Sequence, residues 1–372
     1  MKISRFLLTL IAFVTLASCS DDEPTPLVPS DGKLTIEASP NTIVSDGVDF
    51  CEFIVKKGNV QVTEGVQVYM VGETAALPAL KFSSKKEGEY KFFASYKSDV
   101  TSQIIVKVIS SIPKLPADAQ PSNTAFRRRV MAFELTGTGC GWCPLMIAGI
   151  RQFLTTPDAA KALFVGVHSF NDDHKLFSTT NYEFAKTYGT GTFPSMLFDL
   201  RRNFVQAEKD PITTAANIAE AVNEEYQGDA KAGLAAASMK VGSNLVVHVA
   251  VKAAVEGEYR VGAWLLEDKL EAEQGNQSGL TADDKFSIHS NVARQVAGRP
   301  TKYNFSGDPV GKLTAGQTKT HVLQLPLDAK WKLENCKLVV FVSTPDEVGS
   351  NKFYINNAIP CPVDATAAFE YK

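Results

Sequence analysis

The alternation of apolar and polar positions divides the chain into three stretches. Between residues 33 and 110, short alternating runs are separated by clusters of Gly, Asn, Asp and Ser, which predicts strands that bury one face. Residues 127–226 alternate strand-like runs with runs of helical period, which predicts an α/β layer structure. From residue 230 onward the period of two returns, so a second β region is expected.

Within these stretches the runs predict individual elements. The first stretch should contain strands at 34–38, 50–55, 66–71, 90–96 and 104–109. The second should contain strands at 130–135, 163–168 and 195–199, helices opening at Cys140 and spanning 178–188 and 212–226, and a turn at 201–203. The third should contain strands at 233–241, 245–253, 259–267, 319–325, 338–343 and 353–359, with a long insertion at 269–318. A loop of that length is usually functional or contains elements of its own.

The predicted organisation is multidomain, α/β plus β. Residues 33–110 resemble the bacterial immunoglobulin-like modules that serve as spacers, so an immunoglobulin-like β-sandwich is expected there. Residues 111–123 contain three prolines and no apolar period, which is typical of a linker. Residues 124–228 should form the α/β domain and residues 230–372 a C-terminal β-sandwich. A chain of 372 residues is too long for one core, which agrees with this division.

The N-terminus indicates export and a lipid anchor. A basic start, an apolar run at 6–16 and the tetrapeptide Leu-Ala-Ser-Cys ending at Cys19 resemble a bacterial lipoprotein signal peptide, residues 1–18, with Cys19 acylated after cleavage. The alternative is an ordinary secretory signal with a chance cysteine. Residues 19–32 are polar, acidic and proline-bearing, which predicts a disordered tether.

These features predict a location in the bacterial cell envelope, as an outer-membrane lipoprotein. The acidic residues that follow Cys19 resemble the surface-export signal of Bacteroides-type bacteria. No later apolar run is long enough to cross a bilayer, so the membrane is expected as a partner through the lipid alone. The net charge of −3 argues against a nucleic-acid partner, because such proteins usually carry a basic patch.

The strongest chemical signal is the segment Cys140-Gly141-Trp142-Cys143, between a predicted strand and a predicted helix. Two thiols at this spacing can close a disulfide, and the first lies at a helix N-terminus, where the macrodipole favours the thiolate. An exposed thiolate at Cys140 can attack a disulfide, after which Cys143 displaces the product. Two alternatives remain open: half of a zinc site completed by His168 and His174, and a structural disulfide without catalysis. We expect no metal and no cofactor.

Residues 127–226 resemble thioredoxin-like domains. The features that carry the resemblance are the strand–Cys-x-x-Cys–helix order, the Phe193-Pro194 step before a strand, and Glu134, six residues before Cys140. The resemblance implies that Cys140 and Cys143 are catalytic and form a disulfide when oxidised. It also implies that Glu134 is a buried carboxylate that relays protons to Cys143, and that Pro194 is a cis-proline beside the dithiol.

Other residues are expected at the edge of this site. Trp142 lies between the two cysteines, and Phe193 precedes the proline. The dipeptide Gly141-Trp142 differs from the Gly-Pro of thioredoxin, so the resemblance does not fix the redox direction. His168 ends a predicted strand on the same edge as the dithiol, where it could tune the thiolate or serve as a hydrogen-bonded loop histidine.

Residues 124–372 also resemble the Omp-twenty-eight-related outer-membrane lipoproteins of Bacteroides-type bacteria. That family combines a lipobox, an optional immunoglobulin-like domain, a thioredoxin-like domain with the sequence seen here at 137–144, and a C-terminal sandwich. The segments 287–294 and 338–342 look like its C-terminal half. The resemblance implies a location more than an activity.

The remaining cysteines allow further predictions. Cys51 lies inside a predicted strand, which favours a buried hydrophobic role. Cys336 and Cys361 flank a predicted turn at 346–351, and a symmetric hairpin places them opposite each other. This predicts a Cys336–Cys361 disulfide that stabilises the fold by about 3 kcal/mol, with two buried unpaired thiols as the alternative.

Two functions follow from the sequence. The first is an envelope thiol–disulfide oxidoreductase that acts on thiols or disulfides of envelope proteins. The second is a surface binding or structural lipoprotein in which the dithiol is only a staple. In the C-terminal insertion, His289, Asn291 and Arg294 could line a pocket shared with the α/β domain, although a solvated turn is the favoured interpretation.

Overall fold

The fold is rich in β-sheet and divides into several sheets. The computed structural model describes residues 32–39, 41–170, 175–281, 284–298, 305–347, 349–350 and 352–372. The predicted signal peptide, the lipidation site Cys19 and the tether up to residue 31 lie outside the described residues, as does His174. Across the described ranges, no helix has both the length and the apolar character needed to cross a membrane.

Residues 32–110 form two sheets around one core. The strands are β1 (Leu34–Ser39), β2 (Thr42–Val44), β3 (Cys51–Lys57), β4 (Val60–Gln61), β5 (Val66–Met70), β6 (Lys81–Phe82), β7 (Gly88–Tyr96), β8 (Asp99–Val100) and β9 (Ile104–Ile109). One sheet has the order β1-β3-β4, with β6 on β3, and the other has the order β2-β9-β7-β5, with β8 on β7. Phe53, Val55, Phe92 and Cys51 belong to the shared core. Burial raises the pKa of the Cys51 thiol to about 11, so this cysteine is a buried, protonated side chain.

The next region follows the predicted alternation of strands and helices. Its elements are β10 (Val130–Thr136), α1 (Cys143–Phe153), β11 (Ala162–His168), α2 (Thr179–Tyr188), β12 (Ser195–Phe198), β13 (Arg201–Gln206) and α3 (Pro211–Tyr226), with a 3-10 helix at Pro157–Lys161. Local signals explain where two helices begin. The Ser178 hydroxyl accepts a hydrogen bond from the N–H of Asn181 at the start of α2. The Asp210 carboxylate caps α3 directly before Pro211.

The chain reverses between β12 and β13 earlier than predicted. Residues 201–203, predicted as a turn, belong to β13, and the reversal lies at Asp199 and Leu200, which have positive φ angles of 49° and 64°. The buried Asp199 carboxylate accepts hydrogen bonds from the N–H of Met131 and the guanidinium of Arg128. These two bonds to distant residues fix the turn, and nothing local in the sequence reveals them.

The remaining strands complete a nine-stranded sheet and add a four-stranded sheet and a two-stranded one. They are β14 (Ala232–Val241), β15 (Asn244–Ala253), β16 (Gly257–Glu267), β17 (Leu270–Glu271), β18 (Ile288–His289), β19 (Val292–Ala297), β20 (Asp308–Leu313), β21 (Thr318–Pro326), β22 (Cys336–Pro345), β23 (Phe353–Pro362) and β24 (Thr366–Ala367), with 3-10 helices at Asp284–Ser287 and Leu333–Asn335. The large sheet has the order β13-β12-β10-β11-β19-β16-β22-β23, with β20 also on β16. The smaller sheet has the order β21-β15-β14-β24. Buried residues of β14, β15, β16, β21 and β22 form one cluster, so the two sheets pack together.

The large sheet continues without a break across the boundary expected near residue 229. The link is β19, which lies parallel to β11 and antiparallel to β16. The N–H of Gly166 in β11 donates to the carbonyl of Asn291 at 2.8 Å. One buried cluster contains Phe133 of β10, Phe184 of α2 and Trp264 of β16. The predicted insertion at 269–318 therefore supplies β19 and β20 to the sheet.

The predicted linker at 111–123 is held against the C-terminal sheets. Lys252 of β15 is almost fully buried, and its ammonium lies 2.8 Å from the Asp118 carboxylate and 3.1 Å from the Gln120 carbonyl. Burial alone would raise the pKa of Asp118, but the hydrogen bonds from Lys252 and Tyr371 hold it below its ordinary value. The segment is proline-rich, as predicted, yet it is fixed by a buried cation.

The predicted Cys336–Cys361 disulfide is wrong, because both cysteines are free and buried. The register of β22 and β23 places Leu338, not Cys336, opposite Cys361, and it shifts at an irregularity between Val342 and Ser343. The two cysteines are therefore diagonal neighbours, with Cβ atoms about 7 Å apart, and a disulfide needs about 4 Å. Burial raises the pKa of Cys336 to about 12 and also raises that of Cys361. Both thiols therefore stay protonated inside the sandwich.

Candidate functional site

The loop between β10 and α1 holds the two cysteines of the Cys-x-x-Cys segment. Cys140 and Cys143 form a disulfide with a Cα–Cα distance of 5.4 Å. The N–H of Cys140 donates to the carbonyl of Gly137 at 3.1 Å, and the N–H of Cys143 donates to that of Cys140 at 3.2 Å. A Cβ atom on Gly137 would lie 1.7 Å from the carbonyl oxygen of Phe170. Only glycine fits there, so the loop can turn tightly against the segment after β11.

The N-terminus of α1 favours negative charge beside the dithiol. Helix α1 begins at Cys143, has Pro144 in its first turn and has no acidic residue there. The N-cap residue Trp142 makes no side-chain cap, so the first N–H groups have no side-chain acceptor. These amides and the helix macrodipole stabilise a thiolate placed before the helix. The helix begins at Cys143, three residues after the predicted opening at Cys140, so Cys140 lies in the loop directly before the helix.

The second loop of the site precedes β12. The peptide bond between Phe193 and Pro194 is cis. The Phe193 ring stacks on Phe170, with centroids 4.9 Å apart and planes inclined by 19°. Phe170 and Trp142 are 40% and 50% exposed, so aromatic surface is open to solvent beside the dithiol. Among the residues expected at the edge of the site, Trp142 and Phe193 thus combine with Phe170, which the sequence analysis did not single out.

The disulfide itself is covered, which corrects the expectation of an exposed attacking thiolate. Cys140 is only 4% exposed and Cys143 is fully buried. Residues 272–281, which we call the strap, run across the dithiol loop from the end of β17. The N–H of Gly275 donates to the carbonyl of Thr138, and the N–H of Gln277 donates to that of Gly141, each at 2.7 Å.

The buried side chain of Gln274 ties the strap to the same loop. Its Nε2 lies 3.2, 3.1 and 3.0 Å from the carbonyl oxygens of Gly137, Thr138 and Cys140. Sequence analysis missed these contacts, because a polar segment in a long insertion carries no signal of where it docks. The length of the insertion was the only indication that it has a function.

Glu134 faces a cavity of about 240 Å³ at the seam between β10, α1, β11 and the segment before β19. Burial raises its pKa to about 7, while the Thr136 hydroxyl and the Arg151 guanidinium act in the opposite direction. Its Oε1 has no hydrogen-bond partner among the described residues, and it makes no hydrogen bond to either cysteine there. The carboxyl is therefore able to exchange a proton near neutral pH, with the cavity as its surroundings.

His168 and His289 also line this cavity and contact each other. Both are buried, and their rings pack edge to face with centroids 5.1 Å apart. The Nε2 of His289 lies 3.1 Å from the carbonyl oxygen of Ala272, at the root of the strap. The pocket that the sequence analysis ranked behind a solvated turn is thus present, and it joins the α/β region to the insertion.

Asn291 and Arg294 have structural roles near this cavity. Asn291 has a φ angle of 57° and receives its backbone hydrogen bond from Gly166, while its own N–H donates to Asp268. Arg294 forms a buried ion pair with Glu267 at 2.7 Å. The backbone of Asn291 and the side chain of Arg294 therefore support β19, and Asn291 also lines the cavity.

The chemistry available at the site is that of a disulfide beside a titratable carboxyl. In the described part of the chain, no cluster of three or more His, Cys, Asp or Glu residues is arranged to hold a metal ion. Cys140 and Cys143 are bonded to each other, and His168 packs on His289. This arrangement differs from a zinc site built from the two cysteines and His168.

Comparisons with known proteins give one family match. Residues 181–352 match the family model described as outer membrane protein Omp28. The matched region is less than half of the chain and begins after the dithiol loop. No curated protein is found to match the chain.

Solved structures of two other bacterial proteins are among those similar to this chain. HBP35 of Porphyromonas gingivalis is 17% identical, with a TM-score of 0.51 over 67% of this chain and 79% of that chain. A protein of Agrobacterium tumefaciens is also 17% identical, with a TM-score of 0.39 over 67% of this chain and 100% of that chain. The similarity to HBP35 shows a shared fold over about two thirds of the chain.

Proposed function

We propose that this protein is a lipid-anchored protein of the bacterial outer envelope that performs thiol–disulfide exchange at Cys140 and Cys143. The observation that carries the proposal is the Cys140–Cys143 disulfide at the N-terminus of α1. The helix end favours the thiolate that exchange requires. Two cysteines at this spacing provide both the attacking and the resolving sulfur.

The topology around the disulfide supports a thioredoxin-like domain. The elements follow the order β10-α1-β11-α2-β12-β13-α3, and their strands lie in the order β13-β12-β10-β11. Strands β10 and β11 are parallel, and β12 is antiparallel to β10. The dithiol follows the central strand β10, and Pro194 precedes β12. This is the arrangement expected of that fold, and it places the two functional loops at neighbouring strands.

In the proposed reaction, the Cys140 thiolate attacks one sulfur of a partner disulfide. A Cys140–partner S–S bond forms as the partner disulfide breaks, and the released partner thiolate takes a proton. Cys143 then gives its proton to Glu134 and attacks Cys140, which frees the second partner thiolate and leaves Cys140 and Cys143 oxidised. Two electrons pass from the protein to the partner, and the reverse sequence oxidises a partner dithiol. Glu134 suits the proton transfer because its pKa of about 7 lets it hold either state near neutral pH.

The envelope location and the anchor rest on the N-terminal sequence and on the family match. The match of residues 181–352 to outer membrane protein Omp28 supports a place at the outer membrane. The tetrapeptide that ends at Cys19 supports acylation there. The two-sheet unit at 32–110, which we assign as immunoglobulin-like, would then hold the dithiol region away from the membrane.

A second candidate function is a structural or binding lipoprotein in which the disulfide is inert. The observation that favours it is the low exposure of the disulfide, since Cys140 is 4% exposed and Cys143 is buried. An inert structural disulfide should have a reduction potential below about −300 mV. The two candidates therefore differ in a measurable equilibrium property.

Trapping in the envelope tests the exchange function. A Cys143→Ser variant keeps the attacking sulfur but cannot resolve, so Cys140 should accumulate mixed disulfides with partner proteins, visible as reducible adducts. The matched control is the Cys140→Ser/Cys143→Ser double variant, which should carry none. Redox titration of the native protein accompanies the trapping. A potential far below −300 mV together with no adducts on the single variant would rule out exchange.

A further inference from the structure

The fastening that the described residues show between the strap and the dithiol loop consists of hydrogen bonds. The strap's residues from 273 to 279 are polar or glycine, so they bury no apolar side chain on the loop. The two backbone bonds to Thr138 and Gly141 and the bonds of the Gln274 amide are the contacts that fasten it. Each such bond contributes only about 1 kcal/mol net, because water replaces it when the strap leaves.

The Gln274 amide, which we call the latch, has partners for its donors but not for its acceptor within the described part of the chain. Its two N–H hydrogens are shared among four carbonyl oxygens, those of Gly137, Thr138, Cys140 and Gly275, all within 3.2 Å. Its Oε1 is buried without a hydrogen-bond partner among the described residues. Leaving that acceptor unpaired costs free energy, which opening of the strap would recover. The N–H groups of Gln274 therefore stabilise the closed position of the strap, while its unpaired Oε1 destabilises that position.

Glycines allow the strap to lie close to the loop and to move. A Cβ atom on Gly141 would lie 2.7 Å from Cγ of Gln277, and one on Gly275 would lie 3.3 Å from the carbonyl oxygen of Thr138. Gly279, near the far end, has a φ angle of 78° and open space around it. Close backbone approach therefore depends on glycine on both sides of the contact.

The root of the strap is anchored to the C-terminal elements, where Ala272 belongs to a buried apolar cluster with Leu176 and Val292. The N–H of Ala272 donates to the carbonyl of Ser287 at 3.0 Å, and the Ala272 carbonyl lies 3.1 Å from Nε2 of His289. Leu270, two residues earlier, pairs with His289 in the β17–β18 ladder. The segment after Ala272 can therefore swing from an anchored base while the sheets stay intact.

We propose that the strap is a removable cover that regulates access to the Cys140–Cys143 disulfide. This inference rests on the proposed exchange function, and it identifies what controls that site. When closed, the strap occupies the carbonyls around Cys140 and keeps the disulfide from thiols in solution. When open, it exposes Cys140 and frees the carbonyls of Thr138 and Gly141. An extended segment of a partner polypeptide, with its own backbone N–H groups, can then take these two bonds.

The rate at which dithiothreitol reduces the disulfide tests the cover. Gln274→Ala removes the amide latch without touching either cysteine, and it should speed reduction at least tenfold. The equilibrium reduction potential should stay the same, because the latch bonds to backbone carbonyls and not to sulfur. Gln152→Ala, the same change at an exposed position of α1, is the matched control and should react at the native rate.

Hydrogen exchange on the same proteins provides the second measurement. Gln274→Ala should speed exchange in the peptide that covers residues 273–281 while leaving β10 and β19 protected. Equal reduction rates for native protein and Gln274→Ala would overturn the proposal, whether or not the strap exchanges faster. A faster reaction accompanied by loss of protection in β10 would also overturn it, since the fold rather than the cover would then have opened.

The two proposals can fail separately. The reduction assay uses a small reductant and needs no envelope partner, whereas the trapping experiment depends on one. Rapid reduction of Gln274→Ala, together with no trapped partners and a reduction potential as low as that of an inert structural disulfide, would support the cover and rule out the exchange function. Trapped partners together with equal reduction rates would support the exchange function and overturn the cover.

Discussion

Replacing Glu134 by Gln should change how the stability of the protein depends on pH. Burial raises the pKa of Glu134 from 4.5 to about 7. Between these values the native state keeps a proton that the unfolded chain has already released. Since the unfolded state then binds fewer protons, the free energy of unfolding falls as the pH rises. The stabilisation that protonated Glu134 gives the native state is complete below pH 4.5 and is lost as the pH rises to about 7.

The expected magnitude follows from the size of the shift. One pKa unit corresponds to about 1.4 kcal/mol, so a shift from 4.5 to about 7 corresponds to about 3 kcal/mol. Gln has nearly the same shape as protonated Glu and has no ionised form. The free energy of unfolding of Glu134→Gln, relative to that of the native protein, should therefore rise by about 3 kcal/mol between about pH 4 and pH 8.

Urea unfolding followed by tryptophan fluorescence at a series of pH values measures this difference. The three tryptophans, Trp142, Trp264 and Trp331, all lie outside residues 33–110, so the signal reports on the part that contains Glu134. Glu220→Gln, at an exposed position of α3, is the matched control for the loss of one carboxylate. A stability difference between Glu134→Gln and the native protein that does not vary with pH would refute the reasoning.

Two further substitutions test the packing around the site. Lys252→Met should destabilise the protein by about 2–3 kcal/mol, because it leaves the Asp118 carboxylate without its cation, and limited proteolysis should then cut within 111–123. Lys312→Met, at an exposed ion pair, is the control and should leave the free energy of unfolding unchanged within error. Gly149→Ala should cost about 1–3 kcal/mol in thermal or urea unfolding, since its Cβ would lie 2.2 Å from Cγ2 of Thr214. Adding Thr214→Ser should recover part of that loss, and no recovery would show that the clash between α1 and α3 is not its cause.

Elements with local signals were predicted well from the sequence. The helix α2 begins directly after its cap Ser178, and α3 begins at Pro211, directly after its cap Asp210. Strands β14 and β15 match their alternating runs to within one residue. The pair Cys140 and Cys143, with its helix, was also evident, because the spacing itself defines the chemistry. These features depend on residues that are neighbours in the chain.

Features that depend on distant pairing were missed. The segment at 292–297 was assigned to an insertion, yet β19 joins β11 to β16 at the centre of the sheet. The hairpin register that opposes Leu338 to Cys361 differs by two positions from the predicted one, and an irregularity that no residue type announces accounts for one of them. The hydrogen bond from the Gln274 amide to the carbonyl of Cys140 joins residues more than a hundred positions apart. Local patterns record which face of a strand is buried but not which strand lies beside it.

The position of β19 has a consequence for how the chain folds as it is made. Strands β10 and β11 emerge early, but β11 has its outer neighbour only after residue 292 has been synthesised. Until then its edge and the apolar surface of Phe133 and Phe184, later covered by Trp264, are exposed. Pairing over such a sequence separation is slow, and open strand edges invite association with other chains. A fragment that ends at residue 228 would keep this unfinished edge permanently, so the dithiol region should be insoluble or aggregating without the strands that follow it.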